Sequence, residues 1–148
     1  MAETSFSGWG IRTLDKTEVC YNPMSYHNGS IWPHDNAITM LGLAKYGFRD
    51  KAMQIMTGLF DASIELDLHR LPERFCGFDR LPGQGPTLYP VACSPQAWAS
   101  GAVFQMLQAC LGISFSADKP QIHFKFPQLP EYLERLQITN LRFPGGVI

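Results

Sequence analysis

No cluster of lysine and arginine interrupts this chain, and its 12 basic and 13 acidic residues leave a formal net charge of −1. A nucleic-acid partner selects for a basic field, so that class is set aside, and an anionic membrane surface with it. No apolar run approaches the about 18 residues that a membrane span needs. No basic start leads into a short apolar core either, so neither a span nor a signal peptide is expected. Cysteine is scarce, with Cys20, Cys76, Cys93 and Cys110 and no C-x-x-C pair. Reduced, mostly buried thiols in a cytoplasmic protein are the expectation, ahead of zinc or disulfides. A Gly-rich phosphate loop, a G-x-S-x-G elbow and a Cys–His nucleophile motif are all missing, so no cofactor is implied.

What is present is a soluble-domain composition, 45% hydrophobic and 17% charged over 148 residues, enough to bury a core. Aromatic residues make up 12%, and many stand in polar, loop-like sequence rather than in apolar runs. The densest stretch is Tyr26-His27-Asn28-Gly29-Ser30-Ile31-Trp32-Pro33-His34-Asp35-Asn36, which leads into a helical pattern. A helix entrance carrying so many polar and aromatic groups is expected to line something.

The first helix is expected from about Ser30–Pro33, with Ser30 as cap and proline in the first turn, to Gly47. A second spans about Asp50–Leu66, where Ala52, Ile55, Met56, Leu59, Phe60 and Ile64 recur at three- and four-residue steps. The short link Gly47-Phe48-Arg49 makes these two antiparallel neighbours. Residues 67–93 form a long loop with four prolines, of a length that tends to be functional. A third helix is expected to be capped by Ser94, opened by Pro95 and closed by Gly112, with Trp98, Val103, Phe104, Leu107 and Leu111 as its apolar face. Ile11–Leu14, Gln121–Phe126 and Leu136–Leu141 have strand character. Ser7-Gly8-Trp9-Gly10 and Tyr21-Asn22-Pro23-Met24 are turns.

Several residues have chemistry that the pattern leaves open. Glu73 follows Pro72 and has Arg70, Arg74 and Arg80 near it in sequence; it reads as a base toward water or as a surface carboxylate paired with arginine. Asp35, between His34 and Asn36, binds sugar hydroxyls or merely favours the first turn of its helix. Trp9, Tyr26, Trp32 and Tyr89 stack on sugar rings or belong to the core. His27 and His34 have no third ligand at metal-like spacing, so no metal site is expected.

Four stretches together resemble the bacterial amylo-α-1,6-glucosidase or glycogen-debranching-like family of (α/α)6-barrel, six-hairpin glycosidases. They are Ser7–Thr13, Tyr21–Asn36, the Glu73 loop Arg70–Arg80, and Tyr89–Ala99 with its Pro95-Gln96-Ala97-Trp98. The resemblance implies a mainly α fold: the C-terminal portion of an (α/α)6 toroid over residues 1–118, then a short β-containing extension over 119–148. It implies Glu73 as the general base of an inverting hydrolysis. It also implies a sugar floor formed by Trp9, Arg12, Tyr26, His27, Asn28, Trp32, His34, Asp35 and Trp98, acting on an α-glucan or other oligosaccharide. The second carboxyl group of such an enzyme, set roughly 6.5–9.5 Å from the base, comes from an earlier part of the barrel. The chain thus reads as a C-terminal fragment, inactive alone, with helix faces left for a partner chain or for self-association. The alternative is a non-catalytic carbohydrate-binding or subunit-like module that needs a partner.

Overall fold

The computed structural model describes residues 1–116, 121–143 and 146–147. Three long helices dominate: α1 Pro33–Lys45, α2 Arg49–Ile64 and α3 Ala97–Leu111. α1 packs on both others, whereas α2 and α3 touch little. The tight connection after Lys45 sets α1 and α2 antiparallel, with Gly47 at φ +88° where a side chain would be strained. α1 and α3 run in the same direction. The His34 and Trp98 rings meet at their starts, and Ala44 and Ala109 line one groove near their ends.

The caps differ from the sequence expectation. Trp32, not Ser30, is the N-cap of α1 and offers no side-chain bond. Ser30 instead donates to the Tyr26 carbonyl and accepts from Trp32 Nε1. α3 starts later than expected, because Gln96 rather than Ser94 caps it, accepting from the Ala99 amide at 2.8 Å. Gly112 closes α3 in the left-handed conformation, as expected.

The buried face of α3 is also not the anticipated one. Ala99, Ala102, Met106, Ala109 and Cys110 are buried, while Trp98 is 66% and Phe104 75% exposed. Small side chains let α3 approach α1 closely, with Ala37, Met40 and Ala44 on the facing helix. Trp98, Val103 and Phe104 stay exposed, while Leu107 packs partly against the core. α2 buries Ala52, Ile55, Met56 and Leu59 as its periodicity implied, but Phe60 and Ile64 are exposed.

Little regular β-structure forms. Ile11–Leu14 is not a strand; single antiparallel bridges join Phe6 to Ile11 and Arg12 to Ile31. Bridges Ile31–Phe75 and Phe75–Leu88 continue the series, so five segments lie side by side, each joined to the next by a single bridge. Phe75 is fully buried and exchanges both backbone bonds with Ile31, at 2.9 and 3.1 Å. This pairing fixes the loop against the entrance to α1. Gly77 completes it, since a Cβ there would collide with the Gly29 carbonyl oxygen. Asn36, fully engaged and 2% exposed, bonds both the amide and the carbonyl of Ile11 through its side chain.

Beyond α3, β1 Ile113–Phe115 pairs antiparallel with β2 Ile122–Phe124. Of these, β2 lies inside the expected strand and β1 was not anticipated. Leu136–Leu141 is irregular, and the next strand, β3 Arg142–Phe143, pairs with β4 Gly146–Val147. The expected boundary at residue 118 lies outside the described residues. The mainly helical architecture fits part of an α/α toroid.

Candidate active site

The entrance to α1 and the loop after α2 meet at Tyr26 and Glu73. Pairing of Ile31 with Phe75 carries Glu73 to the lip, and a further bond from the Glu73 amide to the Cys93 carbonyl (2.9 Å) holds it from the other side. The Tyr26 hydroxyl donates to Glu73 Oε1 at 3.0 Å, and the Cys93 amide approaches Oε2 at 3.4 Å. Those contacts occupy two of the about four acceptor positions of a carboxylate, leaving room for a water. Glu73 itself is only partly buried. The bond to Glu73 raises the phenol of Tyr26 above its ordinary value. Burial and the Glu73 charge add to the effect, while the Arg74 charge opposes it.

The arginines near Glu73 in sequence do not pair with it. Arg80 bonds Asp61 and lies over the Trp9 ring at 4.3 Å. Arg74 is fully buried, with its guanidinium carbon 3.7 Å from the Tyr26 ring centre and 3.4 Å from that of Tyr89. Its Nη1 donates to the Ser25 carbonyl at 3.1 Å; Nε and Nη2 are buried without a hydrogen-bond partner. A desolvated cation on an aromatic face is worth about 2 kcal/mol per contact, which offsets part of the cost of those unpaired donors.

Aromatic faces run outward from Tyr26. Its ring meets His27 edge-on at 4.5 Å and Trp32 at 4.9 Å, and His27 stacks flat on Trp32 at 5.8 Å. Trp32 meets His34 at 5.5 Å, and His34 meets Trp98 at 4.8 Å. Trp32 is nearly buried, with Nε1 donating to Ser30 and the Tyr26 carbonyl, so it supports the lip rather than offering a free face. Trp98 is the open ring. Asp35 is exposed and lies 3.1 Å from Nε2 of His34, whose Nδ1 is buried and unpartnered.

The structure thus brings together Tyr26, His27, Trp32, His34, Asp35 and Trp98, with Glu73 at one end. Asn28 is exposed in the adjoining turn, its carbonyl accepting from the Asn22 amide. Trp9 and Arg12 are placed elsewhere and serve the scaffold. Trp9 is 4% exposed within the core. The buried Arg12 donates to the Gly77 and Thr4 carbonyls and pairs with Asp79. Burial pushes the Asp79 carboxyl up, but Arg12 and Lys16 outweigh it and hold it below its ordinary value.

Sequence reasoning missed how deeply Arg74 is buried, and it had not joined Tyr89 to Tyr26. Tyr89, an aromatic residue in a proline-rich loop, was the available signal. Among the described residues, no three His, Cys, Asp or Glu side chains gather to hold a metal ion.

Residues 2–75, half of the chain, match the family model described as the Mannosylglycerate hydrolase MGH1-like glycoside hydrolase domain, and the chain belongs to this family. The matched span includes the whole lip from Tyr26 to Asn36 and reaches Glu73, and it ends before Trp98. Membership is thus of the glycoside hydrolases, with nothing in the match particular to amylo-α-1,6-glucosidases. No curated protein sequence matches the chain.

Proposed function

We propose that the Glu73 cluster is the water-activating half of an inverting glycoside hydrolase site acting on α-glucosidic linkages, in the manner of a glycogen-debranching enzyme. The supporting observation is a carboxylate held by a phenol and a backbone amide beside a run of aromatic rings. A water held on a free lone pair of Glu73 gives its proton to the carboxylate as its oxygen bonds to the anomeric carbon. The glycosidic C–O bond breaks, and the leaving oxygen takes a proton from a second carboxyl group about 6.5–9.5 Å from Glu73. On the same reading that acid belongs to another helix of a toroid, and this chain is expected to bind oligosaccharide with little turnover. Trp98 provides the open stacking face, His34 and Asp35 the polar contacts to hydroxyls.

The family is named for a mannosylglycerate hydrolase, so the sugar tested should not be glucose alone. Calorimetric titration with maltooligosaccharides and with mannosylglycerate reads the choice. Binding of one of them, weakened roughly tenfold by Trp98→Ala, with no product formed, is the expected result. Absence of binding to either, or binding unaffected by Trp98→Ala, contradicts the placement of the sugar. The second reading, a non-catalytic binding module, is favoured by the continuous ring series from Tyr26 to Trp98. It predicts the same binding but no dependence of any chemistry on Glu73.

A further inference from the structure

We propose that Arg74, flanked by Tyr26 and Tyr89, is a positioning residue that holds the Tyr26 phenol on Glu73. The inference deepens the reading of Glu73 as the base and rests on it for its catalytic meaning. As a stabilising device Arg74 is poorly furnished: it is fully buried, it makes no ion pair among the described residues, and two of its nitrogens have no acceptor. What it does have is a grip on the Ser25–Tyr26 segment at two points. Its Nη1 holds the carbonyl of Ser25, immediately before Tyr26, and its guanidinium lies against the Tyr26 ring. The ring of Tyr89 lies against the same guanidinium at 3.4 Å and backs it.

Tyr26 is 42% exposed; His27 and Trp32 meet its ring edge-on, and the guanidinium of Arg74 covers a face of it. Backbone and ring held together leave the hydroxyl aimed at Oε1. Arg74 is also the chain neighbour of Glu73, so its anchored side chain ties the Glu73 segment to the Tyr26 segment. The carboxylate plane is then set before any sugar binds.

The charged and titratable groups around the Tyr26 ring are Glu73, Arg74, Cys93 and the His27 imidazole. The phenol titration of Tyr26, followed by carbon NMR of labelled tyrosine and assigned with Tyr26→Phe, separates positioning from mere proximity because the two have opposite signs. A neighbouring cation lowers a phenol pKa, so if Arg74 acted by charge alone, Arg74→Met would raise it. If Arg74 positions the ring, Arg74→Met breaks the bond to Glu73, and the pKa falls toward the ordinary phenol value. Glu73→Gln, which removes the carboxylate, sets the direction of that fall. Tyr89→Leu leaves the guanidinium in place and removes only its backing ring; it is expected to move the pKa in the same downward direction. A rise in Arg74→Met, or an unmoved pKa in a folded Tyr89→Leu variant, overturns the proposal. If Arg74→Met does not fold by circular dichroism, Tyr89→Leu decides alone. The titration needs no sugar, so it can succeed where hydrolysis fails to depend on Glu73, and the two failures are told apart.

Discussion

At the scale of single residues, the thiols offer a direct check on the placement of Glu73. Burial raises the Cys76 thiol above its ordinary value and pushes Cys110 up to about 11, whereas Cys20 and Cys93 are exposed. Only the thiolate reacts, so iodoacetamide at pH 8 should modify Cys20 and Cys93 quickly and the other two slowly. Cys93 faces the carboxylate through its backbone, so a bound oligosaccharide should slow its alkylation and leave Cys20 unaffected; peptide mapping reads both. Equal protection of the two sites would remove the sugar from the Glu73 end of the lip. Glu73 as a candidate base was legible in the sequence, beside its reading as a surface carboxylate paired with arginine, and the resemblance favoured the base. The role of Arg74 was not, because its two ring partners come from distant segments and adjacent arginines read as surface charge. For Trp9 the pattern left sugar stacking and core open and the resemblance implied the sugar floor, whereas the flanking glycines let the backbone turn and bury the ring under Arg80.

At the scale of elements, existence and order of the helices could be read from periodicity, whereas the faces they bury could not. On α3 the bulky residues gave the stronger apolar signal. Close approach to α1 selected the alanines and Met106 instead. Two substitutions separate these views by thermal unfolding. Met106→Ala should cost about 2–5 kcal/mol, and Phe104→Ala should change stability by no more than about 0.5 kcal/mol. A larger loss at Phe104 than at Met106 would invert the assignment of the face. Leu136–Leu141 shows the limit of alternation as a signal: among the described residues no strand pairs with it, and the pattern does not become a strand.

At the scale of the whole molecule, the N-terminal segment is tied down largely by carboxylates. Asp15 accepts from Thr4, Ser5 and Thr17, which hold its carboxyl well below the ordinary range, and Asp79 pairs with Arg12 and Lys16. A carboxyl whose folded pKa is depressed stabilises fully above its ordinary value of 3.8 and loses that contribution as pH falls through the folded value. The Asp79→Asn variant should therefore melt below the parent at pH 7, and the gap should narrow as pH falls below 3.8. A gap that persists in acid would mean that the side chain acts through packing rather than charge. The same molecule presents open apolar rings at Phe104 and Trp98, on helices that fit part of a toroid, and its Glu73 site is read as one half of a reaction centre. That central claim is tested most directly with a substrate whose departure needs no acid. Fluoride leaves an α-glucosyl or α-mannosyl fluoride without being protonated, so a site holding the base and the sugar should release it even where the general acid is missing. Saturable fluoride release above the spontaneous rate is expected, cut about a hundredfold or more in Glu73→Gln. Identical rates for the chain and its Glu73→Gln variant would contradict it.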